Sequence, residues 1–241
     1  MSRLGSIKAI LWKDLRQYYA KPPTISWGIL TPAAIVGVLA IAVSYNWRII
    51  PGLVGLALMF SSSTMAQVCI GIERRFGSFE RLLYAPVTLG SIIIAKSLGG
   101  IVFGLIGACM SIAIIMVFVK IRIVYMLTFF TAVLLGSIIF SLIGIIAAVV
   151  MRIENSMVFM NTLRFLMLFL SGIFIPIYML PSIVQLVSYA LPLTYIVELL
   201  RYSMYCRYDL IDPITSLISL VLYTITLTIV TKWIVEKKIY Q

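Results

Sequence analysis

Six stretches without a charged residue divide the chain: 22–47, 49–72, 97–119, 123–151, 165–197 and 213–231. Crossing a hydrocarbon core of about 30 Å takes about 20 helical residues. The shortest stretch has 19 residues and still suffices. The pattern predicts an all-α integral membrane protein with six transmembrane helices, in which residues 1–241 form a single membrane domain. Ahead of the first stretch, Leu4, Ile7, Leu11, Leu15 and Tyr18 recur at helical spacing, with Lys13 and Arg16 opposite. Residues 4–20 are therefore expected to form an amphipathic helix lying in the membrane interface, either a passive anchor or a lever. The apolar run begins too late, after Lys21-Pro22-Pro23, for a removable signal peptide.

Between the second and third stretches lies a charged island, Glu73 to Pro86. Gly77-Ser78 is expected to open a short helix with Ser78 as its cap, and Pro86 to close it. On that helix Phe76, Phe79 and Leu83 fall on one face, with Glu80 and Arg81 pointing elsewhere. An aromatic face on a water-side helix implies a partner that buries it.

The fifth stretch is too long for one span. After Gly172 it carries Pro176 and Pro181, then about a dozen apolar residues and Leu191-Pro192. Residues 174–192 are expected to be a re-entrant helical hairpin, serving as a structural lid or an outer gate. Glu198 and Arg201 follow at i, i+3 spacing and can pair. Within the spans, Gly100 and Gly104, like Ser137, Ser141 and Gly144, favour close helix contact, within the chain or between subunits. Thr31-Pro32 suggests a kink in the first span. The hydroxyls of Ser61, Ser62, Ser63 and Thr64 either line a path or bond back to their own helix. Arg164, near Asn155 and Asn161, either snorkels to the interface or faces an anion-attracting vestibule. Lys96 is expected near the start of the third helix, outside the hydrocarbon.

Composition agrees: the chain is 62% hydrophobic and 11% charged, against about 25% charged in soluble domains. With an even number of spans both termini share a side. That side collects twelve of the 19 lysines and arginines, and the other side five. The bias predicts cytoplasmic termini and a cytoplasmic island in a multi-pass plasma-membrane protein. The net charge of +11 reads as topology and attraction to lipid headgroups, not as a nucleic-acid surface. Cys69, Cys109 and Cys206 match no zinc spacing and are read as apolar fillers.

The inventory of chemistry is thin. There is no histidine, and none of the eight carboxylates lies within a charge-free stretch. Catalytic residues, bound metals and cofactors are expected to be absent from this chain, and a membrane enzyme, a scaffold and an ATP-independent carrier are each poorly served. No Gly-rich phosphate loop is present, so energy would have to come from a partner.

The sequence 77–87 (Gly-Ser-Phe-Glu-Arg-Leu-Leu-Tyr-Ala-Pro-Val), together with 171–181 (Ser-Gly-Ile-Phe-Ile-Pro-Ile-Tyr-Met-Leu-Pro) and 191–198 (Leu-Pro-Leu-Thr-Tyr-Ile-Val-Glu), resembles the membrane subunit of ABC-2-type ATP-binding-cassette exporters. The resemblance covers the whole chain. It implies that 76–86 is a coupling helix docking on a cassette ATPase, with Glu73, Arg74, Phe76, Gly77, Phe79, Glu80, Leu83 and Pro86 as the coupling residues. Two ATPase copies carrying ATP and Mg, and a second permease subunit of the same or another kind, would complete the transporter amid membrane lipids. Asn155, Asn161, Arg164, Pro176, Pro181, Tyr195 and Glu198 are the candidates for the path or gate. The expected cargo is a hydrophobic or amphipathic drug or lipid exported outward, with a lipid-linked glycan or an ion as the alternative.

Overall fold

The computed structural model describes residues 3–19, 22–42, 47–84 and 87–239. Lys21 and Pro86, the residue expected to close the short helix, lie outside them, as do the side chains of Leu4, Glu80 and Leu83. All regular structure among the described residues is helical: α1 (Arg3–Asp14), α2 (Pro22–Ile25), α3 (Thr31–Ala42), α4 (Ile50–Arg75), α5 (Ser78–Leu83), α6 (Leu89–Phe118), α7 (Met126–Val150), α8 (Ile153–Leu170), α9 (Ser182–Tyr189), α10 (Pro192–Tyr205) and α11 (Pro213–Ile239). Of these, α4, α6, α7 and α11 are each long and apolar enough to cross a membrane. The pair α9–α10 is bent by 83°, as a re-entrant segment or a broken span would be. The bend falls at Ala190-Leu191, so this element runs on to Tyr205, beyond the 192 expected from sequence.

The central element is α4, nearly all of whose length is buried. It packs closely on α6 and α7 because small residues line the seams. A Cβ at Gly104 of α6 would lie 2.0 Å from Ser62 Oγ, and one at Gly144 of α7 would lie 2.5 Å from the Ser63 carbonyl oxygen. The small-residue spacing is therefore used inside the chain. Further out, Val36, Leu53, Leu56, Phe140, Leu193 and Leu200 join α3, α4, α7 and α10 in one apolar core.

Thr31-Pro32 does mark a break. Ser26–Leu30 forms a π-helical turn between α2 and α3. The Ser26 carbonyl accepts from both the Thr31 amide and, at 2.9 Å, the Thr31 hydroxyl. Proline's missing N–H and the wider turn together account for the irregular path.

At the end of α4 the chain turns back through Gly77, whose φ of +65° suits a residue without Cβ. The Ser78 hydroxyl donates to the Glu73 carbonyl at 3.1 Å. It thus satisfies the end of α4 and does not cap α5, contrary to the sequence expectation. Nor do the two phenylalanines share a face. Phe79 is buried against Ala66, Ile70, Ile93 and Leu142, while Phe76 is exposed. Helix α5 is anchored by the buried Phe79, and the exposed residues of this corner are Phe76 before the helix, Arg81 on it and Tyr84 just after it.

Candidate functional site

Helix α4 links three groups of polar side chains. The first joins it to α1 and α6. Asp14, Glu73 and Lys96 are all fully buried. The Lys96 ammonium lies 2.8 Å from Asp14 Oδ2, 2.6 Å from Glu73 Oε2 and 3.3 Å from Cys69 Sγ. Lys13 donates to Glu73 Oε1 and stands 3.4 Å from Asp14 Oδ1. Two ammonium groups thus meet two carboxylates, and the cluster is neutral. Burial alone would lower the Lys13 pKa, but Glu73 outweighs it and holds the group above its ordinary value. The oxygens and sulfur of Asp14, Cys69 and Glu73 converge within 4.8 Å, a spacing fit for a metal ion. The Lys96 ammonium fills that position instead.

Two expectations change here. Lys96 is inside the bundle rather than at its edge. Helix α1 and the π-helical turn after it, Leu15–Tyr19, do not simply float on the interface: Ile10, Asp14 and Tyr18 are buried against α4 and α6, and Lys13 turns inward with them. Neighbouring Arg74 donates through Nη1 to the carbonyls of Ala148, Val149 and Met151 at 2.6, 2.7 and 2.9 Å, completing the C-terminus of α7. Glu73 and Arg74, expected to face a partner, are instead braces that hold the α4–α5 corner.

A second neutral cluster lies at the opposite end. Arg201 Nη1 is 2.5 Å from Glu198 Oε1 and 2.9 Å from Asp209 Oδ2. Arg201 Nη2 donates to the Gly172 carbonyl at 3.1 Å, and Arg48 pairs with Asp209 at 3.0 Å. A hydrogen bond with Tyr178 and then the charge of Asp209 raise the Arg48 pKa. The expected Glu198–Arg201 pair is present, and it ties α8, α10 and the approach to α4 together. Glu198 is consequently part of a bolt and lines no cavity described here.

The third group is different. Arg164 of α8 is buried. Its Nε donates to Ser63 Oγ at 3.0 Å, Nη1 to Asn161 Oδ1 at 2.8 Å and Nη2 to Gln67 Oε1 at 3.4 Å, and its carbon centre lies 5.3 Å from the Phe60 ring. Gln67 Nε2 in turn donates to Ser156 Oγ at 2.8 Å, which fixes the amide. Ser63 also bonds back to the Met59 carbonyl at 2.5 Å, the second of the two readings of that hydroxyl. Arg164 faces a cavity of about 280 Å³ lined by Trp27, Thr64, Gln67, Val68, Ile72, Met157 and Asn161. These bonds hold the guanidinium inside the bundle, between α8 and α4.

Of the remaining candidates, Asn155 is exposed on α8 outside this cavity. Pro181 is the residue just before α9, and Pro176 precedes a 3-10 turn at Ile177–Met179. Tyr195 donates to the Tyr189 carbonyl at 2.7 Å and lies beside Tyr223 of α11, away from Arg164. Gln67 and Trp27 are site residues that sequence reasoning missed. Gln67 stands out only as the one amide in an apolar stretch, and Trp27 gives no sequence signal.

The apolar spans and the bent helix pair define a multi-pass helical membrane protein, with Arg164 buried at the edge of a largely apolar cavity. The family profile of the ABC-2 type transporters matches residues 5–205. The chain belongs to that family, whose members are permease components of transporters and not themselves catalysts. No curated protein matches the chain.

Proposed function

We propose that this chain is the membrane-spanning permease subunit of an ATP-driven exporter of a hydrophobic or amphipathic drug or lipid. Six spans are counted by adding α8 and the broken first helix to α4, α6, α7 and α11, with both termini in the cytoplasm of a plasma-membrane protein. The exposed side of α5, with Phe76, Arg81 and Tyr84, docks on a separate cassette ATPase that binds ATP and Mg. Two such ATPases and a second permease subunit complete the assembly. The exposed apolar side chains of α8, among them Val158, Phe165 and Phe169, offer a surface to that second permease or to lipid.

The observation that carries this reading is the continuity of α4. Ser63 and Gln67 hold Arg164 at the cavity, and six residues after Gln67 the same helix reaches Glu73 and the turn into α5. At 1.5 Å per residue that separation is about 9 Å. A push at the α4–α5 turn therefore reaches the cavity along one unbroken helix, and Arg74 and Glu73 pass it to α7, α1 and α6.

Co-purification tests the proposal. Full-length tagged protein extracted from its own membranes should retain an ATP-hydrolysing partner, and Phe76→Asp with Tyr84→Asp should remove it while the chain stays in the membrane. Retention of full ATPase activity by that double variant would overturn the docking assignment.

A further inference from the structure

The cavity at Arg164 rests on the permease reading, and its chemistry narrows the cargo. We infer that the transported molecule carries an anionic head, a phosphate, sulfate or carboxylate, on an apolar body, and that Arg164 receives the head. A guanidinium has five N–H donors. Three are used here, and every acceptor is neutral: Ser63 Oγ, Asn161 Oδ1 and Gln67 Oε1. Among the described residues no carboxylate pairs with Arg164, although Lys96 and Arg201, buried equally deeply, each meet two. A buried charge without a counter-charge is unfavourable in a medium of low dielectric, and an incoming anion relieves it. Thr64 Oγ1 lines the same cavity without a hydrogen-bond partner, a further donor for an oxyanion.

The remaining walls suit a hydrocarbon. Trp27, Val68, Ile72 and Met157 are apolar, and Trp27 and Met157 are exposed. A volume of about 280 Å³ sits at the low end of the range for small-molecule pockets, about 300–1,000 Å³. It holds a head and the start of a tail, with the rest of the tail outside. A second cavity of about 230 Å³ lies where the end of α4 meets the α7–α8 corner and is lined by Arg74, Arg75, Arg152 and one acid, Glu154, among others. Its cationic surplus places an attractive first stop nearer the α5 end, twelve residues or about 18 Å along the chain from Arg164.

The test uses the full chain in nanodiscs of zwitterionic lipid, with radiolabelled dodecyl phosphate, dodecyltrimethylammonium, dodecanol and inorganic phosphate as probes. Dodecyl phosphate should bind saturably, at least about tenfold more tightly than the cation or the alcohol. Arg164→Lys should keep that preference and Arg164→Gln should erase it. Equal binding of the anionic and cationic amphiphiles to the unmodified chain would overturn the inference, a readout needing no variant. Inorganic phosphate binding as tightly as dodecyl phosphate would overturn the apolar body and leave a site for free anions. Met157→Trp, which fills the cavity, separates the two levels. If it blocks dodecyl phosphate but no charge preference exists, the anionic head is wrong and the cavity stands. If it leaves binding unchanged, the cavity itself is not the binding space.

Discussion

Lys96 and Arg164 are both cations buried in the spans, and they are held in opposite ways. Lys96 is neutralised within the chain by Asp14 and Glu73, from two other helices. Arg164 is cradled by hydroxyl and amide oxygens that leave its charge intact. The first arrangement locks helices together, because neither partner can leave without stranding a charge. The second lets a charge stand beside a cavity, available to a molecule from outside. A buried cation thus reads as a bolt or as a binding group according to whether its counter-charge is already in the fold.

The sharpest way to break this comparison is to remove each cation in turn. Lys96→Met leaves Asp14 and Glu73 buried with only the half-exposed Lys13. It should cost about 3–5 kcal/mol, the range for a broken buried pair, read as the shift of the unfolding midpoint in a denaturing-detergent titration. Replacing Lys96, Asp14 and Glu73 together with Met, Leu and Leu should recover most of that loss. Gly144→Ala comes next. Its methyl would sit against the Ser63 backbone, and overpacking of this kind costs about 1–3 kcal/mol. Because Ser63 also receives Arg164, dodecyl phosphate binding should weaken in the same variant.

Arg164→Gln should be milder, about 1–3 kcal/mol, since it leaves buried hydrogen-bonding groups short of a partner but strands no charge. A loss as large as that of Lys96→Met would erase the distinction between the two sites. The smallest effect concerns pH. Lys13, facing Glu73, Asp14, Lys96 and the Tyr18 ring, has its pKa raised in the folded protein above the ordinary 10.5. Its contribution is complete below that value and is lost as pH rises through the higher folded-state value. Thermal unfolding in detergent should hold steady from roughly pH 7 to 10 and weaken above it, and Lys13→Met should blunt that alkaline fall.

What the sequence made legible were features set by neighbours along the chain. The apolar stretches, the Thr31-Pro32 break, the Gly100 and Gly104 seam and the i, i+3 pair of Glu198 and Arg201 all depend on local spacing. The buried clusters depend on pairs far apart: Lys96 meets Asp14 across 82 residues, and Arg164 meets Ser63 across 101. No periodicity announces such meetings, which is why Lys96 reads from sequence as an interface residue and Gln67 escapes attention. The burial of Phe79 was hidden for another reason. Helical spacing says which residues share a face, but not that α5 would fold back beside α4 and bury Phe79 in the same apolar cluster as Ala66 and Ile70. Phe79 therefore belongs to the fold, and a charge placed there tests folding more than docking.

The most direct test of ATPase-driven function places a photo-crosslinking amino acid at Tyr84, or at the buried Phe79, of the full chain in its native membrane, with partners labelled by azido-ATP. Crosslinking at Tyr84 to an ATP-labelled protein, with none at Phe79, is the predicted result. An ATP-labelled adduct absent at Tyr84, or equally strong at Phe79, would contradict a permease worked through the exposed side of α5.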